Sequence, residues 1–294
     1  MSSTELTYVV ITPVRNELAN LERLAGAIEA QVVRPLRWVV VDTGSEDGTD
    51  ALAAELAQRL PWLEAITLDE VALARGGPIV RAFEAGVSAL DETPDVVVKL
   101  DADVSFGQDY FAALLSRFAA HERLGMASGT LYEVEHGEWK QRHVTGSTVW
   151  GAARAYRWQC LQEVMPLEQR MGWDGVDEFR ANARGWSTQV FLDLPLRHHR
   201  REGERDGSMR RARIAEGRAA RYLGYRPWYL VLRALWHARN EPGAIAMVWG
   251  YVSATVRREP RLTDAAARSY LRNQQSMRRL PLRVLEAAGR RRSA

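Results

Sequence analysis

The run Val96-Val97-Val98-Lys99-Leu100, closed by Asp101-Ala102-Asp103, constrains this chain more than any other segment. Four of its five residues are apolar and three are β-branched, the pattern of a strand buried on both faces. Such a strand belongs inside an open α/β sheet, where ligands bind at the carboxyl ends of strands. The run therefore delivers two carboxylates, one residue apart, to a ligand-binding edge. Side by side they repel unless a cation neutralises them. Hard oxygen donors suit Mg2+ or Mn2+, which take diphosphate oxygens as further ligands. The plain alternative is an Asp-rich turn, and so short a motif does not exclude it.

The upstream sequence repeats the arrangement. Tyr8-Val9-Val10-Ile11-Thr12-Pro13 reads as a second buried strand. Leu18, Leu21, Leu24, Ala25 and Ile28 then recur at helical spacing, with Asn16 as the expected N-cap. Trp38-Val39-Val40-Val41-Asp42-Thr43 is a third strand that ends in an acid, followed by a Gly-rich turn and another helix. The alternation continues through Leu63–Leu68 and Gly76–Leu90, which predicts βαβ units on a parallel sheet. Asp42 and Asp101 both end strands, so they are expected to face one crevice.

Four motifs now stand in series: Thr12-Pro13-Val14-Arg15-Asn16-Glu17, Val39-Val40-Val41-Asp42-Thr43-Gly44-Ser45-Glu46-Asp47-Gly48-Thr49, Arg75-Gly76-Gly77, and Leu100-Asp101-Ala102-Asp103. Together they resemble the family 2 glycosyltransferases, inverting and metal-dependent enzymes of GT-A fold, over about residues 7–200. The resemblance implies that Pro13, Arg15, Glu17 and Asp42 line the nucleoside pocket. Asp101 and Asp103 would frame the ribose and a diphosphate bound to Mn2+ or Mg2+, and Arg75 and Arg81 would lie near the sugar phosphate. Lys99 is unusual within the strand and is assigned no role.

Inverting transfer also needs a base on the face opposite the nucleotide. Trp173-Asp174-Gly175-Val176-Asp177-Glu178 offers three carboxylates ahead of Arg180-Ala181-Asn182-Ala183-Arg184-Gly185-Trp186, a helix expected to end on Gly185. By resemblance Asp174 falls on the family's catalytic Asp, although Trp173-Asp174 stands where the family has Glu-Asp. Asp177 and Glu178 remain alternatives, and both also suit a helix N-terminus. A strand is expected over Thr188–Leu192, then a basic loop holding His198 and His199. In many GT-A enzymes a His in this region completes the metal site with the Asp-x-Asp acid, here Asp103. His198 is preferred and His199 is the alternative, because side chains alternate. Arg200, Arg201 and Arg205 are suited to clamping a departing diphosphate. Gly129–Tyr132 and Val149–Arg154 are the expected acceptor wall, and Trp150 and Trp173 are candidate acceptor-stacking residues.

Charge divides the chain. Residues 195–294 hold 23 Arg and no Lys against 8 acids, a net of +15, whereas residues 1–194 carry −12. Arg-flanked, aromatic-rich segments at Tyr222–Trp236 and Ala244–Val252 are each too short to span a bilayer and suit the headgroup region of an anionic leaflet. Packing on the core or on a second copy is the other reading, so a homodimer stays open. One Cys, no basic-then-apolar leader and no long apolar run fit a cytoplasmic protein held peripherally on the inner face of the plasma membrane.

The expectation is an α/β protein: a GT-A nucleotide-diphospho-sugar transferase domain at 1–215, its mostly parallel sheet flanked by helices, and a basic helical extension at 216–294. Its activity would be metal-assisted transfer from a nucleotide sugar to a hydroxyl of a glycan or lipid-linked acceptor. A sugar nucleotidyltransferase would need a Gly-rich phosphate loop after the first strand, where Val14-Arg15-Asn16-Glu17 stands. A dehydrogenase would need Gly-x-Gly-x-x-Gly there. A non-catalytic nucleotide-sugar-binding membrane scaffold is the remaining rival, and nucleic acid is not an expected partner.

Overall fold

The continuous apolar runs are strands with a helical layer on each face, as a computed structural model describing residues 6–69, 76–135, 137–142, 148–200, 209–239 and 241–287 shows. The first unit, Met1–Arg200, contains β1 (Tyr8–Val14), α1 (Leu18–Glu29), β2 (Arg37–Asp42), α2 (Thr49–Arg59), β3 (Leu63–Thr67), α3 (Gly77–Ser88) and β4 (Val96–Leu100). It continues with β5 (Val104–Phe106), α4 (Tyr110–Ala120), β6 (Leu124–Glu135), β7 (Glu138–Gln141), β8 (Ala153–Arg157), α5 (Trp158–Val164), α6 (Trp173–Ala183) and β9 (Ser187–His198).

The sheet runs β3-β2-β1-β4-β8-β6-β9-β5, with β7 on β6. Strands β3, β2, β1 and β4 are parallel, whereas β8 runs antiparallel to both β4 and β6. Alternate residues of the central strands feed two cores. Tyr8, Val10, Val40, Val96 and Val98 pack with Leu21, Leu24, Ala53 and Phe111 on one side. Val9, Ile11, Val39, Val41 and Val97 pack with Val80, Phe83 and Leu161 on the other. Because both faces are covered, these strands show no polar alternation. Helix α3 comes so close to β1 that a Cβ on Gly86 would stand 2.5 Å from Ile11 Cγ2.

Strand order fixes the site. From β1 the chain steps outward to β2 and β3, then crosses back to place β4 on the other side of β1. The carboxyl ends of β1 and β4 thus flank a topological switch point, where open α/β sheets form their ligand crevice. Those two ends carry Pro13–Glu17 and Asp101–Asp103.

Several local expectations need correction. Asn16 does not cap α1: it has φ +54, and its Oδ1 accepts the Glu46 N–H. The helix start is served instead by Asp47 and Thr49, which accept the N–H groups of Leu18 and Glu17. Strand β9 does not stop at Leu192; it continues through Pro195 to His198, pairing with β6 across a register jump between Gly129 and Thr130. Gly185 lies one residue past the C-cap, which is Arg184. Residues Gly129–Tyr132 belong to β6.

The second unit, Arg201–Ala294, is helical: α7 (Met209–Leu223), α8 (Pro227–Ala238), a 3-10 turn at Pro242–Ile245, α9 (Ala246–Val256), α10 (Ala265–Gln274), a 3-10 turn at Met277–Arg279, and α11 (Leu280–Ala287). A boundary at residue 215 would cut α7, whose residues pack on α9; the division lies at Arg200–Arg201.

Candidate functional site

The loop after β1 and the loop after β2 are stitched together. Asp42 is buried and turns both carboxylate oxygens onto its own loop: Oδ2 accepts from the Gly44 and Ser45 N–H groups at 3.0 Å, and Oδ1 accepts from the Ser45 hydroxyl. Ser45 Oγ also accepts the Asn16 N–H at 2.9 Å. Pro13 pairs in register with Val41, and Arg15 follows as an exposed side chain.

Glu17, buried at the start of α1, receives a two-pronged ion pair from Arg200, with Nη1–Oε1 at 2.7 Å and Nη2–Oε2 at 2.6 Å. The same guanidinium brings Nε to 3.8 Å from Asp103 Oδ2. Arg200, just beyond β9, therefore joins the β1 loop to the Asp-x-Asp turn.

Asp101 and Asp103 receive different cations. Lys99 is 2% exposed, and its ammonium donates to Asp101 Oδ1 and, at 2.9 Å, to the Gly151 carbonyl. Burial and the Asp103 charge push the Asp101 pKa up against the pull of Lys99. Asp103 faces His198 Nε2, 3.3 Å from Oδ1. Burial would raise the Asp103 pKa, yet the His198 hydrogen bond and the charges of His198 and Arg200 hold it below the ordinary carboxylate value. Burial likewise opposes the charged ring of His198, but its bonds to Asp103 and Glu133 win and push its pKa up to about 10. His199 turns elsewhere: Nε2 shares a 2.8 Å hydrogen bond with Ser105 Oγ, and the ring meets Trp139 edge-on at 5.4 Å. Its backbone N–H, not its ring, reaches Asp103, at the carbonyl.

Asp174 occupies the first turn of α6, after Gly172 at φ +85. A Cβ on Gly151 would lie 3.6 Å from Asp174 Oδ2, so this carboxylate borders the residue that Lys99 grips. A continuous path, Asp101–Lys99–Gly151–Asp174, connects the Asp-x-Asp turn to α6.

Asp177 and Glu178, the alternative bases, are tied into the core. Both are buried within α6 and face Arg154, itself fully buried: Asp177 accepts from Arg154 at 2.7 Å and from the Tyr156 hydroxyl at 2.5 Å, and Glu178 accepts the Val149 N–H at 3.1 Å. Burial, opposed by Arg154, pushes Asp177 up to about 6 and Glu178 up to about 8. The helix dipole is not what holds them; a buried guanidinium is. Arg154 also donates to the Asp174 carbonyl at 2.9 Å.

Trp173 is 8% exposed, with Lys99 and Arg154 lying 5.7 and 5.6 Å from its ring centroid. It is the first residue of α6 and packs in the core cluster of Val97, Phe83 and Tyr156. Trp150 is half-buried against the core, and its indole N–H is buried without a partner among the described residues. Arg81 donates to the Asp69 carbonyl at 2.7 Å and joins none of these groups. Arg75, Arg201 and Arg205 lie outside the described residues.

Sequence reasoning missed Glu133, the second partner of His198, and it left Lys99 and Arg154 without roles. Glu133 meets His198 across 65 residues and Arg154 meets Asp177 across 23, which no local pattern announces, whereas the acid partner of Lys99 is Asp101, two residues on. Among the described residues, no cluster of three or more His, Cys, Asp or Glu side chains is arranged to hold a metal unaided.

The sequence matches the family described as Glycosyl transferase family 2 over residues 9–172. It is 30% identical over 196 residues to the polyprenol monophosphomannose synthase of Mycolicibacterium smegmatis, covering 66% of each chain, so it spans about two thirds of that relative's length. Among solved structures it resembles the mannosyltransferase PcManGT from Pyrobaculum calidifontis, in complex with GDP-Man and Mn2+: 18% identity, TM-score 0.60, 97% of this chain and 85% of that one. S. aureus TarS is similar at 15% identity and TM-score 0.55, over 74% of this chain and 40% of that one. With the family motifs, the GT-A strand order and these likenesses in agreement, the chain belongs to glycosyltransferase family 2.

Proposed function

We propose that this glycosyltransferase moves a hexosyl group, mannose in the first instance, from a nucleoside diphosphate sugar to a lipid-linked acceptor by one inverting displacement. The observation that carries the reading is the linked set at the β1/β4 switch point: Glu17–Arg200–Asp103–His198 on one side, Asp101–Lys99–Gly151–Asp174 on the other. One side has the charges a diphosphate needs, and the other ends in a carboxylate suited to a nucleophile's proton. Mannose is favoured because the names of both the curated relative and PcManGT specify it.

The donor set at Asp103 and His198 fits a divalent cation. A carboxylate oxygen and an imidazole nitrogen face each other at 3.3 Å, suiting Mn2+ whose other positions are filled by diphosphate oxygens. Such an ion would neutralise charge developing on the leaving nucleotide. Arg200, already beside Asp103, is placed to lend its positive charge to the diphosphate while both of its Nη groups hold Glu17. Pro13, Arg15, Glu17 and Asp42 form the nucleoside side, where Asp42 holds its turn rigid. Asp174 takes the proton of an acceptor hydroxyl.

The relative's name favours a second acceptor, a polyprenyl phosphate, whose oxygen is anionic at neutral pH and needs no base. The variants separate the two. Asp103→Ala is expected to lower kcat/KM at least a thousandfold with either acceptor, with melting temperature retained. Asp174→Asn is expected to do the same for a hydroxyl acceptor and to leave phosphate transfer within about tenfold. The assay uses GDP-mannose and UDP-sugars with Mn2+, and NMR of the product reports the anomeric configuration. Wild-type activity in both purified variants defeats the mechanism.

Lipid-linked acceptors imply an anionic membrane surface, and the helical unit supports this. Leu235, Trp236, Ile245, Trp249, Val252 and Val256 are exposed on α8, the following turn and α9, in a segment rich in Arg. No helix among the described residues is long and apolar enough to cross a membrane, so the contact would be interfacial, at the cytoplasmic leaflet.

A further inference from the structure

We propose that Glu133 is a positioning residue: it fixes the His198 ring so that Nε2, beside Asp103, is the nitrogen offered to the divalent cation of the donor complex. This rests on the metal-assisted reading above.

Glu133 and His198 are register partners on the parallel strands β6 and β9, so their side chains leave the sheet together. Glu133 is only 4% exposed, and its Oε1 accepts from His198 Nδ1 at 3.1 Å. Asp103 addresses the other nitrogen, Nε2, at 3.3 Å. Two carboxylates thus take opposite edges of one imidazole. Glu133 cannot share a cation with Asp103, because the ring stands between them. An imidazole binds a metal through one nitrogen, and a hydrogen bond at the other decides which nitrogen that is. With Nδ1–H committed to Glu133, only Nε2 remains. Arg142 approaches the second oxygen of Glu133 as an ion pair, Nε to Oε2 at 3.4 Å. A carboxylate serving only the β6–β7 hairpin would need Arg142 and would have no reason to meet His198 edge-on.

The test uses the full-length protein, with Mn2+ titrated in the presence of GDP (UDP where GDP fails to bind) and free Mn2+ read by electron paramagnetic resonance. Glu133→Met and Glu133→Ala are expected to weaken Mn2+ binding ~10–100-fold. Glu133→Gln retains an oxygen acceptor and is expected to lose less than about tenfold. Nucleotide affinity without Mn2+ is expected to stay unchanged in all three. In the wild type with GDP and diamagnetic Mg2+ in place of Mn2+, nitrogen–proton correlation NMR is expected to find the His198 hydrogen on Nδ1 and none on Nε2. Unchanged Mn2+ affinity in a folded Met or Ala variant overturns the proposal. So does an Nδ1 without hydrogen, a result that needs no variant to fold. If wild type with nucleotide binds no Mn2+, the metal reading itself fails and the proposal falls with it.

Discussion

Asp177 and Glu178, neighbours on α6, show how a carboxylate's surroundings decide its role. Both face Arg154 in the core, and burial raises both pKa values, Asp177 to about 6 and Glu178 to about 8, from ordinary values of 3.8 and 4.5. Asp103, also buried but given His198 and Arg200, goes the other way. The Glu178 shift has a thermodynamic sign. Between pH 4.5 and about 8 the folded chain holds a proton that the unfolded chain has lost. Glu178 therefore contributes fully to stability below pH 4.5, and the contribution is lost as pH rises through about 8. Asp177 behaves likewise over the lower window. Glu178→Gln keeps an acceptor for the Val149 N–H and has no proton to lose. Its melting temperature relative to wild type is expected to climb steadily from about pH 5 to about pH 8. A constant difference across that range in parallel thermal melts contradicts the assignment.

At the scale of elements, glycines reveal which helices touch backbone to backbone. A Cβ on Gly217 of α7 would stand 1.9 Å from the Met247 carbonyl oxygen of α9, and one on Gly250 of α9 would stand 2.1 Å from the Ile214 carbonyl oxygen of α7. Helix propensity alone favours Ala over Gly by about 1 kcal/mol. Here the steric term wins: Gly217→Ala and Gly250→Ala are each expected to destabilise the helical unit by about 1–3 kcal/mol, read by urea unfolding. Gly26 of α1 has no atom within 4 Å of such a Cβ, so Gly26→Ala is expected to stabilise by about 0.5–1 kcal/mol. Stabilisation at Gly217 and Gly250, as at Gly26, would exclude the close helix pair. Periodicity does not reveal these contacts, although it does reveal β1, β2 and β4, because a strand covered on both faces announces itself as an apolar run. Strand β9 was legible only in part, since Pro195 interrupts its run and a register jump against β6 lets pairing continue. Asp101, Asp103 and Asp42 were legible because strand ends place them. Glu133 was not: it reaches His198 across 65 residues through strand pairing, which no single-chain pattern encodes.

Over the whole molecule, charge and apolar exposure concentrate in the same C-terminal stretch. Residues 195–294 carry +15, and within the helical unit Leu235, Trp249 and Val256 are 55%, 63% and 76% exposed. Soluble monomers rarely leave such a patch uncovered. A bilayer surface with anionic headgroups satisfies both features at once, apolar side chains entering the acyl boundary while Arg meets phosphate. Each large side chain moved from water into that boundary contributes about 1.5–3 kcal/mol, and each Arg about 1 kcal/mol at low salt. The double variant Leu235→Glu/Trp249→Glu is therefore expected to lower partitioning onto phosphatidylglycerol vesicles by at least about a hundredfold. Raising salt on the wild type removes only the Arg share and has a smaller effect. Flotation of wild type and variant with these vesicles makes the measurement. Because the substitutions lie in the unit that excludes Asp103, His198 and Asp174, Mn2+ and nucleotide affinity should stay unchanged. Equal flotation of both proteins would mean that these helices meet protein rather than lipid, and would send the search for their partner to a second copy of the chain.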